Sequence, residues 1–540
     1  MTETRTAYDT IPYRSHPFPQ TRPEHLAAIA ILFGLEAPPV ENCRVLELGC
    51  SMGGNLILMA QNYPDSRFVG IDASSRQISD GWKTIDALGL KNVELKHQDI
   101  LDIGNDLGEF DYIISHGVYS WVPAPVQKKL LEICKRHLVK NGVAYISYNT
   151  YPGWHIRGIV RDMMLYRGAQ FADPAVRLAQ AKSLVAFVAQ SSREDANVSA
   201  YQKLLRSEFE VLGRSDDYYV HHDHLEENNQ PVYFHEFARK LAVNGLQYLG
   251  EAEFSTMVST NFPPEIAKTL NDLGAHDILE MEQYMDFVRC RYFRQTLVCH
   301  SAVRLNRRIG AAALKGLYLA SRATTGSAEP DFDPKKTETF RTGSGNAINC
   351  RSPLTKLALR NLARHWPRPV IFETLHADVK AEATKLKLSV DNLNDEGFFA
   401  GEILTCMAAG ILEWRRNPPP YTTVAGKMPS VTAAARLQAT EGSSVSNLRG
   451  ETINLDELHR QLLTHLDGTR DLTQLTTALM SFVKKGEHIL TRDGSKDPVT
   501  DEKEMRNLLG SALEKALQNL ARQALLVAEP NASGKRSKPG

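Results

Sequence analysis

The sequence has no surplus of either charge: 63 Lys and Arg are matched by 63 Asp and Glu. That balance removes the overall basic footprint of a chain that grips nucleic acid, so no nucleic-acid partner is expected. Cysteine is sparse. The seven (Cys43, Cys50, Cys134, Cys290, Cys299, Cys350 and Cys406) are scattered without a C-x-x-C pair. This argues against a disulfide framework or a cysteine zinc site and fits reduced thiols in the cytoplasm. No apolar run approaches the ~20 residues of a membrane span. The longest, "LAAIAILFGL" (26–35), suits a buried helix. The start, "MTETRTAYDTIPYRSHPF", lacks the charged-then-apolar layout of a signal peptide. No internal repeat is present. What remains is a soluble cytoplasmic chain with no membrane insertion, too long at 540 residues for one core.

Within the first third, strand and helix patterns alternate. "RVLELG" (44–49) reads as a buried parallel strand, and "RFVGID" (67–72), "VELKHQD" (93–99), "FDYIISHG" (110–117) and "GVAYISYN" (142–149) read as further strands. Residues 54–63, 74–89 and 124–138 carry helical spacing, with Ser74 or Ser75 as N-cap, Gly89 as stop and "VKNG" as a turn before the fifth strand. The expected fold class is α/β: an open, doubly wound, Rossmann-like sheet whose ligands bind at the carboxyl ends of the strands.

Those ends identify the ligand. A dinucleotide site would want G-x-G-x-x-G on the first turn. Here the turn is Gly49-Cys50-Ser51-Met52-Gly53-Gly54, and the strand leading into it carries Glu47. A carboxylate there repels a diphosphate but can organise the cationic amino-acid end of S-adenosylmethionine. Asp72 ends the second strand, where an acid can accept from ribose hydroxyls. Asp99 follows the third, where one can accept from an adenine amino group. One acid at a strand end is commonly a solvated or capping carboxylate; three in register with five strands point to a cofactor.

This constellation resembles the class I S-adenosylmethionine-dependent methyltransferases. The resemblance makes Glu47, Gly49 and Gly53 the first motif, Asp72 the ribose acid and Gln98–Asp99 the adenine-side segment. Cys50, Ser51, Asn55, Gln77, Ile100 and Ser115 complete the expected cofactor set. The departure is Ser51, where glycine is favoured for its conformational freedom. Longer segments are similar to one bacterial family, methyltransferases with a methyltransferase regulatory domain, which includes rickettsial-type lysine methyltransferases of outer membrane proteins. They are residues 21–60, "SHGVYSWVP" (115–123), "GVAYISYNTYPGW" (142–154), "FHEFARKLAVNGLQYLGEAEFSTM" (234–257) and "YMDFVRCRYFRQTLVCH" (284–300), with weaker likeness at 362–375 and 466–475. The resemblance implies a protein substrate, an outer membrane protein before its export, and accessory regions that recognise it or form a homodimer.

The expected division is a helical lead-in (1–40), the cofactor-binding core (41–154), a helical insertion (155–215) and a regulatory segment completing the sheet (216–305). A middle domain (306–420) and a C-terminal domain (421–540) follow. The polar stretch 321–346 reads as linker or exposed loop, "NPPPY" (417–421) as a boundary turn and 529–540 as a disordered tail. Residues 353–379 have a helix–turn–helix rhythm compatible with a winged helix. They lack a run of base-reading polar residues, which favours a packing domain over DNA binding.

Methyl transfer to lysine asks for a pocket that desolvates an amine and holds methylammonium against aromatic faces. His116, Tyr119, Trp121, Tyr148, Asn149, Tyr151 and Trp154, at the ends of strands four and five, are the candidates, with His116 relaying a proton or orienting substrate. Plain packing of Tyr and Trp is the competing account for each one singly. "HHDHLEE" (221–227), with His235 nearby, has no H-x-x-x-H spacing or cysteine partner and reads as a surface or interdomain polar segment, so no metal is expected. A methyltransferase acting on protein lysine is the leading reading; a small-molecule methyltransferase and a non-catalytic cofactor-binding module are the alternatives.

Overall fold

The computed structural model describes residues 16–191, 199–275, 277–327, 330–388, 390, 392–417, 421–487, 489–491 and 498–528. The tail at 529–540, the first fifteen residues and the central prolines of "NPPPY" therefore lie outside the described residues.

After helix α1 (Pro23–Leu32) the chain runs β1 (Arg44–Leu48), α2 (Gly54–Asn62), β2 (Arg67–Asp72), α3 (Ser75–Leu88), β3 (Val93–His97), β4 (Phe110–Ser115), α4 (Ala124–His137) and β5 (Leu138–Asn149). Caps fall where side-chain chemistry wants them. Ser74 accepts from the Gln77 N–H, and Gly89 closes α3 in the left-handed region at φ +64°. One expected turn is absent: "VKNG" is strand, because Leu138 already pairs with Phe110 and the irregularity is absorbed as a register shift before Tyr112–Val143.

Four helices follow β5: α5 (Gly153–Gly168), α6 (Pro174–Gln190), α7 (Ala200–Arg214) and α8 (Asp217–Leu225), packed around their own core of Val160, Met164, Val185 and Leu205. The chain then returns through α9 (Phe234–Val243), β6 (Leu246–Glu251), α10 (Pro264–Leu273), α11 (Ile278–Arg289) and β7 (Phe293–His300). The sheet has seven strands in the order β3-β2-β1-β4-β5-β7-β6, with β7 antiparallel to both neighbours. β1 and β4 are adjacent, so the connections leave in opposite directions from that point and open a crevice at the carboxyl ends.

β7 is held by charge. The fully buried guanidinium of Arg294 donates to Glu251 (2.8 Å), Glu282 (3.0 Å) and Asp286 (2.8 and 2.9 Å), and lies 3.8 Å over the Phe234 ring. Arg291 adds a second contact to Glu251 at 2.8 Å. β6, β7 and α11 are thus tied by a network in which each charge has a partner, the condition under which buried ions are tolerated.

Among the described residues of 321–346, the stretches 333–337 and 343–346 are exposed loop, as expected, but the segment is anchored rather than a free linker. Lys356, fully buried, donates to the carbonyls of Asp331, Asp333 and Lys336 at 2.7–3.0 Å, and Glu338–Arg341 pairs with Ala347–Cys350 as a hairpin. The core of the middle region is continuous with that of α1 and the sheet, whereas residues 431–526 build a separate one. Among the described residues no helix is long and apolar enough to cross a membrane.

Candidate active site

β1 ends in a loop that turns three times through the left-handed region, at Gly49 (φ +75°), Ser51 (+54°) and Gly53 (+73°). A Cβ on Gly49 would sit 2.4 Å from Val118 and one on Gly53 2.9 Å from Leu95, so neither position admits a side chain without displacement. Ser51 faces only the backbone cost. Its N–H donates to Asp72 Oδ2 (2.8 Å), so the acid at the end of β2 holds the turn. Ser51→Gly is expected to stabilise the chain by about 0.5–1 kcal/mol without weakening the cofactor; denaturant titration and calorimetry of the variant check both.

Asp72 also accepts from the Ser74 N–H through Oδ1 (2.9 Å). Asp99 caps the next turn, accepting from Leu101 N–H at 2.8 Å, with Gln98 and Ile100 half-buried beside it. Gln77 is buried in the first turn of α3. The Cys50 side chain packs over Gly70 instead of facing the crevice, and burial pushes its thiol well above the ordinary range, so only its backbone is available to a ligand.

Glu47 is buried, and its Oε1 accepts from Asn55 at 2.9 Å. Oε2 has no partner, nor has the hydroxyl of buried Ser115 at the end of β4. A partnerless carboxylate oxygen at this place fits the cationic amino-acid end of S-adenosylmethionine, and Asp72 and the Gln98–Asp99 segment fit its nucleoside. Burial pushes the Glu47 carboxyl up to about 8, against the Asn55 hydrogen bond and with the Asp72 charge. The folded chain then holds a proton that the unfolded chain loses at about 4.5. Stability of the ligand-free chain should therefore fall as pH rises between about 4.5 and about 8, at up to about 1.4 kcal/mol per pH unit. Melting curves of wild type and Glu47→Gln across that range test it, the variant giving the flatter profile. Cofactor binding near neutrality should release this proton, visible as a buffer-dependent heat.

The aromatic candidates divide. Tyr119 and Tyr148 are core: Tyr119 lies 5.2 Å and Tyr148 4.2 Å from the Phe237 ring, and the Tyr148 hydroxyl meets Thr296 at 3.1 Å. Their apolar area is better placed between the sheet and α9 than at a solvated mouth, so neither lines the crevice. Trp154 is buried but touches half-buried Trp121 edge-on at 6.0 Å. Tyr151 remains accessible, stacked on His155 at 4.1 Å and beside Tyr233 at 5.2 Å. Asn149 donates to Asn229 at 2.9 Å, a partner delivered from the end of the insertion.

His116 hydrogen-bonds Tyr145 through Nδ1 (2.9 Å) and packs 4.0 Å from Phe18. Burial pushes its imidazole down to about 4, so it is neutral near pH 7 and a poor proton acceptor, suited to orienting substrate rather than relaying protons. Phe18, Tyr145, His155, Asn229 and Tyr233 were not candidates from the sequence. Phe18 in "HPFPQT" and Tyr233 in "VYFHEF" offered only an aromatic beside a helix start as signal.

The histidine-rich segment is not a surface element. His221, His222 and His224 are buried on α8, where Arg157 pairs with Asp223 at 3.7 Å and burial pushes His224 down to about 4. Among the described residues no group of three His, Cys, Asp or Glu side chains could hold a metal ion.

The left-handed glycine turn, the partnerless carboxylate oxygen of Glu47 and the acids after β2 and β3, gathered at the switch point of this strand order, fit a class I S-adenosylmethionine-dependent methyltransferase, and the matches to known proteins place the chain in that class. Family models match along its length: a methyltransferase domain over 39–203, a predicted methyltransferase regulatory domain over 216–300, and the PKMT C-terminal winged helix domain over 427–525. The chain belongs to the PKMT family, which includes PKMT2 from Rickettsia typhi: that structure is 31% identical, covers 96% of this chain and 100% of its own, and superposes with a TM-score of 0.84. The structure of that protein in complex with AdoHcy is 32% identical with a TM-score of 0.82, covering 96% and 100%. An uncharacterized protein of Rickettsia prowazekii is 37% identical over 530 residues, 96% of this chain and 93% of that one. The winged-helix match falls on the separately cored C-terminal unit, downstream of the helix–turn–helix rhythm at 353–379.

Proposed function

We propose that the chain methylates lysine side chains of a protein substrate, an outer membrane protein before its export. The observation that carries this reading is likeness over the whole chain, accessory regions included, to PKMT2 from Rickettsia typhi. S-adenosylmethionine, when bound, supplies an electrophilic methyl group on a sulfonium. Glu47 holds its amino-acid end, Asp72 the ribose, and Gln98 and Asp99 the adenine side. The remaining residues prepare the nucleophile. A lysine amine of pKa about 10.4 costs roughly 4 kcal/mol to hold neutral near pH 7.4. Apolar and aromatic walls from Trp121, Tyr151 and Tyr233 lower that cost by desolvation. Asn149 and neutral His116 orient the amine, and the α5–α8 insertion excludes water above it. The residue spans set out from the sequence are kept as the proposed division of labour. A homodimer would use the outer face of the insertion, where Tyr166 and Phe187 are 76% and 71% exposed.

The test is transfer of radiolabelled methyl groups to a cell lysate split into protein and small-molecule fractions, with amino-acid analysis of the protein. Label in methylated lysine is expected and should fall about 10-fold or more in Tyr151→Ala. Label confined to small molecules, or to another amino acid, defeats the reading.

A further inference from the structure

Next to the cofactor crevice a second cavity, of about 340 Å³, opens where three parts of the chain meet: Pro19–His25, the loop after β6, and residues of the C-terminal half including Trp414, Arg415 and Arg449. Its size lies within the ordinary range for small-molecule sites, roughly 300–1,000 Å³. Three buried hydrogen-bond donors on residues of its wall have no partner: Nη2 of Arg22, Nε1 of Trp414 and Nη1 of Arg415. Arg22 and Trp414 are 4% and 7% exposed, so bulk water does not serve them. A buried donor left without a partner is costly, and three at one wall are a debt that a ligand would cancel.

These three are donors and two are cationic, against a single orphaned acceptor on the same wall, the buried Oε2 of Glu24, so the balance selects an anion. The acids nearby are otherwise matched. Glu24 takes the Arg22 Nε–H at 2.5 Å, and Arg449, stacked 4.2 Å from Trp366, pairs with both Glu413 and Glu451. Glu253 lines the cavity from its exposed side.

The same short segment closes both sites. The Phe18 N–H donates to Asn55 Oδ1 (3.1 Å), and Asn55 in turn donates to Thr21 Oγ1 (3.0 Å) and Glu47 Oε1 (2.9 Å). Gln20 and Arg22, interleaved with these residues, line the second cavity. We propose that this junction is a second ligand site, taking a small carboxylate- or phosphate-bearing molecule, and that filling it tightens cofactor binding by fixing the segment Phe18–Arg22.

The probes are inorganic phosphate and succinate, each against chloride at equal ionic strength. With wild type, one or both raise the melting temperature and raise AdoHcy affinity by about fivefold or more, since such coupling is reciprocal. Which anion acts identifies the headgroup. Arg415→Gln, and Trp414→Phe, which keeps the ring and removes the N–H, should each leave AdoHcy affinity in chloride unchanged and abolish the anion effect. Equal responses to phosphate, succinate and chloride, or a specific effect that survives in both variants, overturn the proposal.

Discussion

Asp72→Ala should weaken cofactor binding by about 100-fold or more, the largest loss expected from any single change in the crevice. Its carboxylate has two tasks. It accepts the Ser51 N–H at 2.8 Å, holding the glycine turn, and the Ser74 N–H at 2.9 Å, fixing the start of α3. It is also the acid that would receive the ribose hydroxyls. Hydrogen bonds to a charged group contribute about 1.5–3 kcal/mol each, so losing two amounts to about 3–6 kcal/mol, and every 1.4 kcal/mol is tenfold. Calorimetry with AdoHcy measures it directly. Asp72→Asn separates the tasks, because an amide keeps one acceptor for the turn but loses the charge; it should lie between wild type and alanine. Binding unchanged in Asp72→Ala would remove this residue from the site and with it the assignment of the β2 end as the ribose position.

Arg294→Met is expected to cost about 3–5 kcal/mol of stability, the figure for stranding buried charges by removing their partner. Three carboxylates, on Glu251, Glu282 and Asp286, lose a guanidinium that meets each of them at 2.8–3.0 Å, and Arg291 reaches only Glu251 closely. Burial already raises the carboxyls of Glu282 and Asp286, against the pull of Arg294. Removing that pull raises them further, so the folded variant holds protons that the unfolded chain releases. The deficit should therefore shrink as pH is lowered toward the carboxylate range and widen above it. Urea titrations of wild type and variant at several pH values check the sign; a deficit independent of pH would mean that lost packing, not stranded charge, is the cause. Because β7 sits between β5 and β6, the variant should also lose methyltransferase activity while the C-terminal unit, with its separate core, keeps its helix content.

Much of this was legible beforehand, for identifiable reasons. Strands β1, β2 and β4 are apolar runs largely buried on both faces, edge strand β3 alternates buried Val93 and Leu95 with exposed Glu94 and His97, and helix α3 carries its own punctuation in Ser74 and Gly89, so periodicity and caps located them without tertiary context. The acids Glu47, Asp72 and Asp99 follow from strand ends alone, since each strand end fixes where its next residues emerge. Where local signals met long-range pairing, they lost. "VKNG" has turn composition, yet Leu138 pairing with Phe110 keeps it in the sheet. The polar stretch 321–346 looked like a linker because its organising group, Lys356, lies outside it and satisfies its carbonyls from beneath.

The aromatic residues mark the limit most clearly. Tyr119, Tyr148, Trp121 and Tyr151 are equivalent in a sequence, each an aromatic shortly after or within a strand. Alternation along β5 sends Tyr148 toward α9 and into the Phe237 cluster, while Tyr151, beyond the strand, meets His155 and Tyr233 at the mouth.

The cofactor class was determined by the sequence alone, because it depends on the type of residue at strand ends, and strand ends follow from local hydrophobic pattern. The lining of the substrate mouth, the neutral state of His116 and the cavity between the N-terminal segment and Trp414 were decided only by the tertiary structure. Burial and partner geometry join residues hundreds of positions apart, and no local pattern encodes which of them will meet.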